Sequence, residues 1–398
     1  MKVGDQASPI SNNGGEILSP PTDINRTTSM MTTYVHGNCH CGLNEFRVAF
    51  PTKSLPISDA ALCHCNSCRH CTGQMAAFHI NIQGTPLRRT TDEGIDLRDL
   101  TMYRTTKMAR LFCVSCAAHL FHQVGGDGEP PYWRVAAGAL DKTEGIVEIG
   151  YHVYVASTFD GGLADHLQEV GGVKLLRYSQ GPESDIVTLG WHRRSPEVKD
   201  EGQLKAYCHC GAIKFAITRP SPESFMPTAG YPDLLFPYNV THFSILQNAS
   251  DEKWWLRPVD TDKPTKYLAG HCMCTFCRLS SGFQIQSWAF IPLANIVQPY
   301  TSIPINLRVE EERPKGLKQY NSSPGRYREF CGICGATVFW WDLQRPDLID
   351  VSVGLFDEAQ NGARAEDWLE WHRGRVSFSE KALNAENAKG LLAGLKCK

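Results

Sequence analysis

Nowhere does this sequence run to the roughly 18 or more consecutive apolar residues that a membrane span needs. Its N-terminus also lacks a basic segment followed by an apolar one, the pattern of a secretory leader. We therefore expect no membrane partner and a cytoplasmic, reducing setting. An excess of either charge is missing too: 40 Lys and Arg stand against 42 Asp and Glu, a formal net charge of −2. That balance gives no support for nucleic acid as a partner. Long helical patterns are scarce. The 34 glycines, 23 prolines and 10% aromatic residues point instead to short strands and turns. The expected fold class is mostly β, with few short helices. One candidate helix lies near 383–395, where Ala385, Ala388, Leu391, Leu392 and Leu395 share a face, although Gly390 and Gly394 weaken it.

What the chain has in quantity is cysteine, 16 residues in all. In a reducing compartment, paired spacings of this kind read as metal binding rather than disulfides. The spacings also repeat. Gly37-Asn38-Cys39-His40-Cys41-Gly42 leads into an alternation of Phe46, Val48 and Phe50. Ala206-Tyr207-Cys208-His209-Cys210-Gly211 leads into Ile213, Phe215 and Ile217. Cys63-His64-Cys65-Asn66-Ser67-Cys68-Arg69 answers to Cys272-Met273-Cys274-Thr275-Phe276-Cys277-Arg278, each with a glycine following, Gly73 and Gly282. Cys113-Val114-Ser115-Cys116 answers to Cys331-Gly332-Ile333-Cys334, each after a tyrosine (Tyr103, Tyr320) and an arginine (Arg110, Arg328). Three ordered matches indicate a duplication.

The expected organisation is a flexible tail over 1–32, rich in polar and turn residues, then a first zinc domain over 33–180. A linker over 181–203 and a second zinc domain over 204–398 follow. The second copy carries an insertion at about 219–264, rich in proline and containing Trp254 and Trp255, read as an ordered excursion. Adjacent Met30 and Met31 leave a later start open.

Zinc held by thiolates prefers four ligands in a tetrahedron when its role is structural. Cys39, Cys41, Cys113 and Cys116 supply such a quartet in copy one; Cys208, Cys210, Cys331 and Cys334 supply it in copy two. The middle motif offers only trios, Cys63, Cys65 and Cys68 in copy one and Cys272, Cys274 and Cys277 in copy two. Three protein ligands leave a position for exchange. Three thiolates and one Zn²⁺ sum to −1, which makes the ion a poor Lewis acid but leaves it able to accept an incoming thiolate. Up to four zinc ions per chain are expected, two per domain. Cys71 is a candidate fourth ligand that would close the first trio. Its counterpart is Ser280, so the second trio is expected to be the more open. Cys397 reads as an incidental thiol.

Around the trios, His64, His70, His79 and His271 are candidate bases or ligands, or simply buried histidines. Arg69 and Arg278 are candidates to hold a substrate carboxylate, or to form ion pairs.

The order G-x-C-x-C-G, C-x-C-x-x-C-R with a following glycine, then F-C-x-x-C-G resembles the glutathione-dependent formaldehyde-activating and centromere protein V family, over roughly 33–178 and 204–380. The resemblance implies two β-tent domains, each with a structural four-cysteine zinc and a second zinc on the C-x-C-x-x-C loop. It also implies carbon–sulfur lyase chemistry on glutathione or another thiol adduct at the trio cysteines; Arg69, Arg278, His64 and His271 join them as catalytic candidates by their nearness in sequence alone. Ala117 and Ala206 depart from the family pattern where glycine is usual, and Trp371-His372 is a weaker match to its late strand motif than Tyr151-His152. A zinc-dependent enzyme on a non-thiol metabolite and a non-catalytic zinc scaffold binding a partner remain as alternatives.

Overall fold

The computed structural model describes residues 31–397 apart from 107, 126–130, 194–201 and 260. The expected tail over 1–32 falls almost wholly outside the described residues. Two-residue alternation decides the first elements. Strand Glu45–Pro51 buries Phe46, Val48 and Phe50 completely and pairs antiparallel with Thr32–Asn38. The second half repeats this with Gln203–Tyr207 and Lys214–Thr218, burying Phe215 and Ile217.

Each half then builds one large sheet. In the first, Ile57–Cys63, Ala77–Asn81, Tyr132–Ala136, His119–Val124, Met108–Cys113 and Leu100–Arg104 lie side by side. In the second the same order runs Lys266–Cys272, Gln286–Pro292, Leu348–Ser352, Thr337–Asp342, Arg326–Cys331 and Leu317–Ser323. Outside the first strand, Val147–Val153 pairs parallel with Ile57–Cys63, and Leu369–Trp371 pairs parallel with Lys266–Cys272. The fold is mostly β, and the repeated strand order carries the duplication into three dimensions.

Helices are few: α1 (Asn66–Thr72), α2 (Phe243–Leu246), α3 (Thr275–Ser281), α4 (Glu358–Asn361) and α5 (Ala385–Lys396). α1 and α3 are equivalent. Each starts on the middle cysteine of its trio and ends on a left-handed glycine, Gly73 at φ 76° and Gly282 at φ 87°. A Cβ on either glycine would collide with the other half, 2.1 Å from the Thr337 carbonyl oxygen or 2.0 Å from that of His119. Further contacts are reciprocal. The His40 amide donates to Leu279 O and the His209 amide to His70 O, while the His40 and His209 rings bond Tyr320 and Tyr103 at 2.8 and 2.7 Å. Residue i meeting j while its counterpart meets i's is the mark of a two-fold relation, here inside one chain.

The insertion is ordered in its described residues. Trp254 and Trp255 are buried, and Leu234 fills the space above Gly270 on the strand leading to the second trio. Tyr238 stacks edge-on against Phe378. At the end of the chain, α5 buries Ala388, Leu391 and Leu395, with Asn384 as its N-cap, while Ala385 is exposed. The two glycines that weakened this helix in the sequence have a packing role. A Cβ on Gly390 would lie 2.1 Å from the Glu169 carbonyl oxygen, and one on Gly394 would lie 2.2 Å from that of His166. The helix therefore rests on the first half at backbone distance. Gly390→Ala, which favours an isolated helix by about 1 kcal/mol, is expected here to lower the melting temperature, because the added methyl separates α5 from residues 166–169. A rise in melting temperature would show that the contact carries no weight.

Candidate metal centres

C-x-C and C-x-x-C spacings bring sulfurs onto a single turn, and the sheets bring the turns together. All four sulfurs of Cys39, Cys41, Cys113 and Cys116 lie within 4.8 Å of one another, as do those of Cys208, Cys210, Cys331 and Cys334. Neighbouring sulfurs stand at 3.4 Å (Cys39–Cys41, Cys210–Cys331) to 3.8 Å (Cys39–Cys113). A tetrahedron with Zn–S near 2.3 Å has edges of about 3.8 Å, so the quartets fit such an ion. None of the described cysteines is in a disulfide. The Asn44 and Ile213 amides donate to Cys39 and Cys208, supporting thiolate character. Proton sharing spreads the thiols apart: hydrogen bonding with Cys113 holds Cys41 far below its ordinary value and raises Cys116 far above it. The turn that presents the last cysteine needs a left-handed residue, supplied by Gly335 at φ 77° and by Ala117 at φ 61°. The alanine departure thus keeps the geometry at a cost of roughly 1–2 kcal/mol.

The trios also assemble, with the three sulfurs of each within 4.8 Å. The Cys65 and Cys274 sulfurs cap their helices, accepting the amides of Cys68 and Cys277. Cys71 does not join the first cluster. It is fully buried one turn further along α1, and burial pushes its thiol up to about 12. Ser280 bonds back to Phe276 O and Cys277 O within its helix. Neither closes a shell, so the expected difference between the trios disappears at that position.

A different contrast replaces it. Cys63 and Cys65 are half-buried beside buried Cys68, whereas Cys272, Cys274 and Cys277 are all buried, packed with Trp288, Trp340 and Phe378. The expectation that the second trio is the more open is therefore corrected: its aromatic cover, not its fourth ligand, decides exposure.

The candidate arginines and histidines lie elsewhere. Arg69 is wholly buried and bonds Glu358 of the second half at 2.5 Å, joined by His70 at 3.1 Å. Arg278 donates to the Gly138 and Leu140 carbonyls of the first half. Both tie the halves together and have no access to a substrate carboxylate. His64 points its ring at His152, 2.8 Å away, whose other nitrogen meets Leu167 O at 2.8 Å. Because a carbonyl only accepts, His152 donates there from Nε2 and accepts from His64 through Nδ1. Burial holds both rings neutral. His271 bonds Ser287 and His166 and stacks on Trp371, away from its trio.

The side chains that do reach the trios are Arg110 and Arg328, which the sequence showed only as landmarks of the repeat. Each is buried and donates to the third cysteine, Arg110 to Cys68 at 3.5 Å and Arg328 to Cys277 at 3.7 Å. Burial opposes their charge, but the neighbouring thiolates outweigh it and keep both protonated. Beside Arg110 stands a stacked pair, His122 bonded to it at 3.0 Å and His79 with ring centroids 3.6 Å apart. A cavity of about 630 Å³ between His166, Arg257, Trp371 and Leu395 includes no cysteine.

Four cysteine clusters that could hold metal ions, in two halves of one strand order, are thus the chemical feature of the molecule. No helix of the described residues is long and apolar enough to cross a membrane. No curated protein and no solved structure matches the chain. Residues 34–157, which carry the first quartet and the first trio, match the family model described as "Glutathione-dependent formaldehyde-activating enzyme".

Proposed function

We propose that the protein is a zinc enzyme that forms or cleaves a carbon–sulfur bond in glutathione or another thiol adduct, working in the cytoplasm as two tandem domains. The quartets are its structural sites and the trios its candidate reactive ones. The observation that carries this reading is the buried arginine on each trio. Three thiolates around a divalent ion leave −1, and one guanidinium brings the cluster to neutrality. A neutral cluster can take an additional thiolate at far smaller cost than an anionic one. When bound, zinc would supply a fixed positive charge that favours the thiolate form of a substrate. The chain's own residues do the rest. Arg110 holds the charge balance, Cys68 stays anionic under its bond, and His79 and His122, stacked beside that arginine, are the candidate proton carriers.

The test uses full-length protein with its metal content counted, incubated with glutathione and a small aldehyde, with the hydroxyalkyl thioether measured by mass spectrometry. Cys68→Ala and Cys277→Ala are compared with the parent. At least one is expected to lower the enzymatic rate by more than the ~10–100-fold typical of losing a supporting residue. If neither variant alters the turnover of this or any adduct tried, the scaffold alternative replaces the enzyme reading.

A further inference from the structure

The two-fold relation makes the trios comparable position by position. Cys63 pairs across the sheet with Ala77, and Cys272 with Gln286. On the next strand, His79 faces Ala136 and Trp288 faces Ser352. Arg110 faces His122, and Arg328 faces Trp340. The wall around the first trio is therefore Ala77, Ala136, His79 and His122, against Gln286, Ser352, Trp288 and Trp340 around the second. Each of these four exchanges fills the second site with a larger or hydrogen-bonding side chain. The polar ones are satisfied: Gln286 bonds Ser352 at 3.0 Å and Gln74 of the first half at 2.7 Å. At the first site the residue equivalent to Gln74 is Phe283, which follows Gly282 as Gln74 follows Gly73. Phe283 packs on Cys68, Ala77 and Ala136, bordered by Cys63 and Cys65, and meets the His79 ring edge-on at 5.2 Å. The buried His79 Nε2 has no hydrogen-bond partner among the described residues, which leaves its hydrogen-bonding capacity for a group outside the chain.

We infer that the two trios have divided their labour: the Cys63, Cys65 and Cys68 centre exchanges ligands, with Phe283 of the second half as one wall of its site, and the Cys272, Cys274 and Cys277 centre is sealed and structural. The second half thus completes the active site of the first. This rests on the preceding reading in taking the trios as zinc centres, but not on its thiol chemistry.

Zinc-loaded full-length protein mixed with a colorimetric chelator decides it. One zinc per chain is expected to leave at least about tenfold faster than the other three, because its open position admits a donor atom of the chelator while closed shells do not. Cys68→Ala should abolish that fast phase, and Cys277→Ala should keep it. Phe283→Ala should quicken it without touching the slow phases, and Trp340→Ala should create a second fast phase by uncovering the other trio. Should Cys68→Ala not fold, the Phe283 and Trp340 variants decide alone. A fast phase that follows Cys277, trios that empty together, or a Phe283→Ala variant identical to the parent would each overturn the inference. Glutathione added to the cobalt-substituted protein separates the two readings. If it leaves the visible spectrum unchanged while the fast phase maps to Cys68, the thiol reading fails and the division of labour stands.

Discussion

Cys39→Ala and Cys208→Ala are each expected to unfold the half that carries them. The quartet is closed, so no remaining ligand can substitute, and structural zinc sites contribute on the order of 10 kcal/mol in apparent binding energy. Whole domains are stable by only about 5–15 kcal/mol. The first quartet ties the turn after Thr32–Asn38 to the turn after Met108–Cys113, two strands far apart in sequence that belong to different sheets. Because α1 and α3 each press a glycine against the opposite half, unfolding should spread across the boundary rather than stop there. Circular dichroism with a metal count checks this. A variant that retains a native spectrum and melting temperature with one zinc fewer would show the quartet to be dispensable.

Glu358→Ala carries the second large effect. Glu358 is almost wholly buried in α4 and is the counter-charge of Arg69, with His70 and Asn66 bonded to the same carboxylate. Nη2 of Arg69 makes the bond to Glu358, and Nε and Nη1 have no hydrogen-bond partner among the described residues. Removing the carboxylate leaves a buried guanidinium uncompensated, a loss of about 3–5 kcal/mol. The pH dependence follows from the same group. Burial alone pushes the Glu358 carboxyl up, but the bond from His70 and the charge of Arg69 outweigh it and hold the group below its ordinary value of 4.5. A carboxyl lowered in the folded state stabilises fully above its unfolded value and loses that contribution as pH falls through the folded one. The stability gap between the parent and Glu358→Gln should therefore be full near neutral pH and shrink below about pH 4.5. A gap that stays constant with pH, measured by denaturant titration, would mean that the charge of Glu358 contributes nothing.

Fourteen cysteines, the strand alternation around Phe46 and Phe215, and the repeat were all legible along the chain. Each depends on residues a few positions apart, and such spacings impose their geometry wherever the chain goes: alternate residues of a strand share a face, and a C-x-x-C turn converges two sulfurs. The mostly β fold follows from the same short-range signals. The roles assigned to Arg69, Arg278, His64 and His271 rested on nearness in sequence to the trios, and that logic failed for a definite reason. Adjacent residues on a strand or at a helix start point to different sides, so a neighbour of a ligand faces away from the ion. His64, between two ligands, turns to His152, and Arg69, one past the third, turns to the opposite half. The residues that do meet the sulfurs, Arg110 and Arg328, come from a distant strand whose register no local pattern announces. Their only signal was a fixed place before the last cysteine pair in both copies.

By itself, the sequence determined the four cysteine clusters, the duplication and the strand-rich halves, because local spacing dictates them. Only the tertiary structure decided that the halves face each other about a two-fold relation, that Cys71 stands apart from its trio, and that Trp288, Trp340 and Phe378 cover one trio while Phe283 walls the other. These are contacts between segments tens to hundreds of residues apart. Their partners are chosen by sheet order and by the packing of one half on the other, which no periodicity along the chain records.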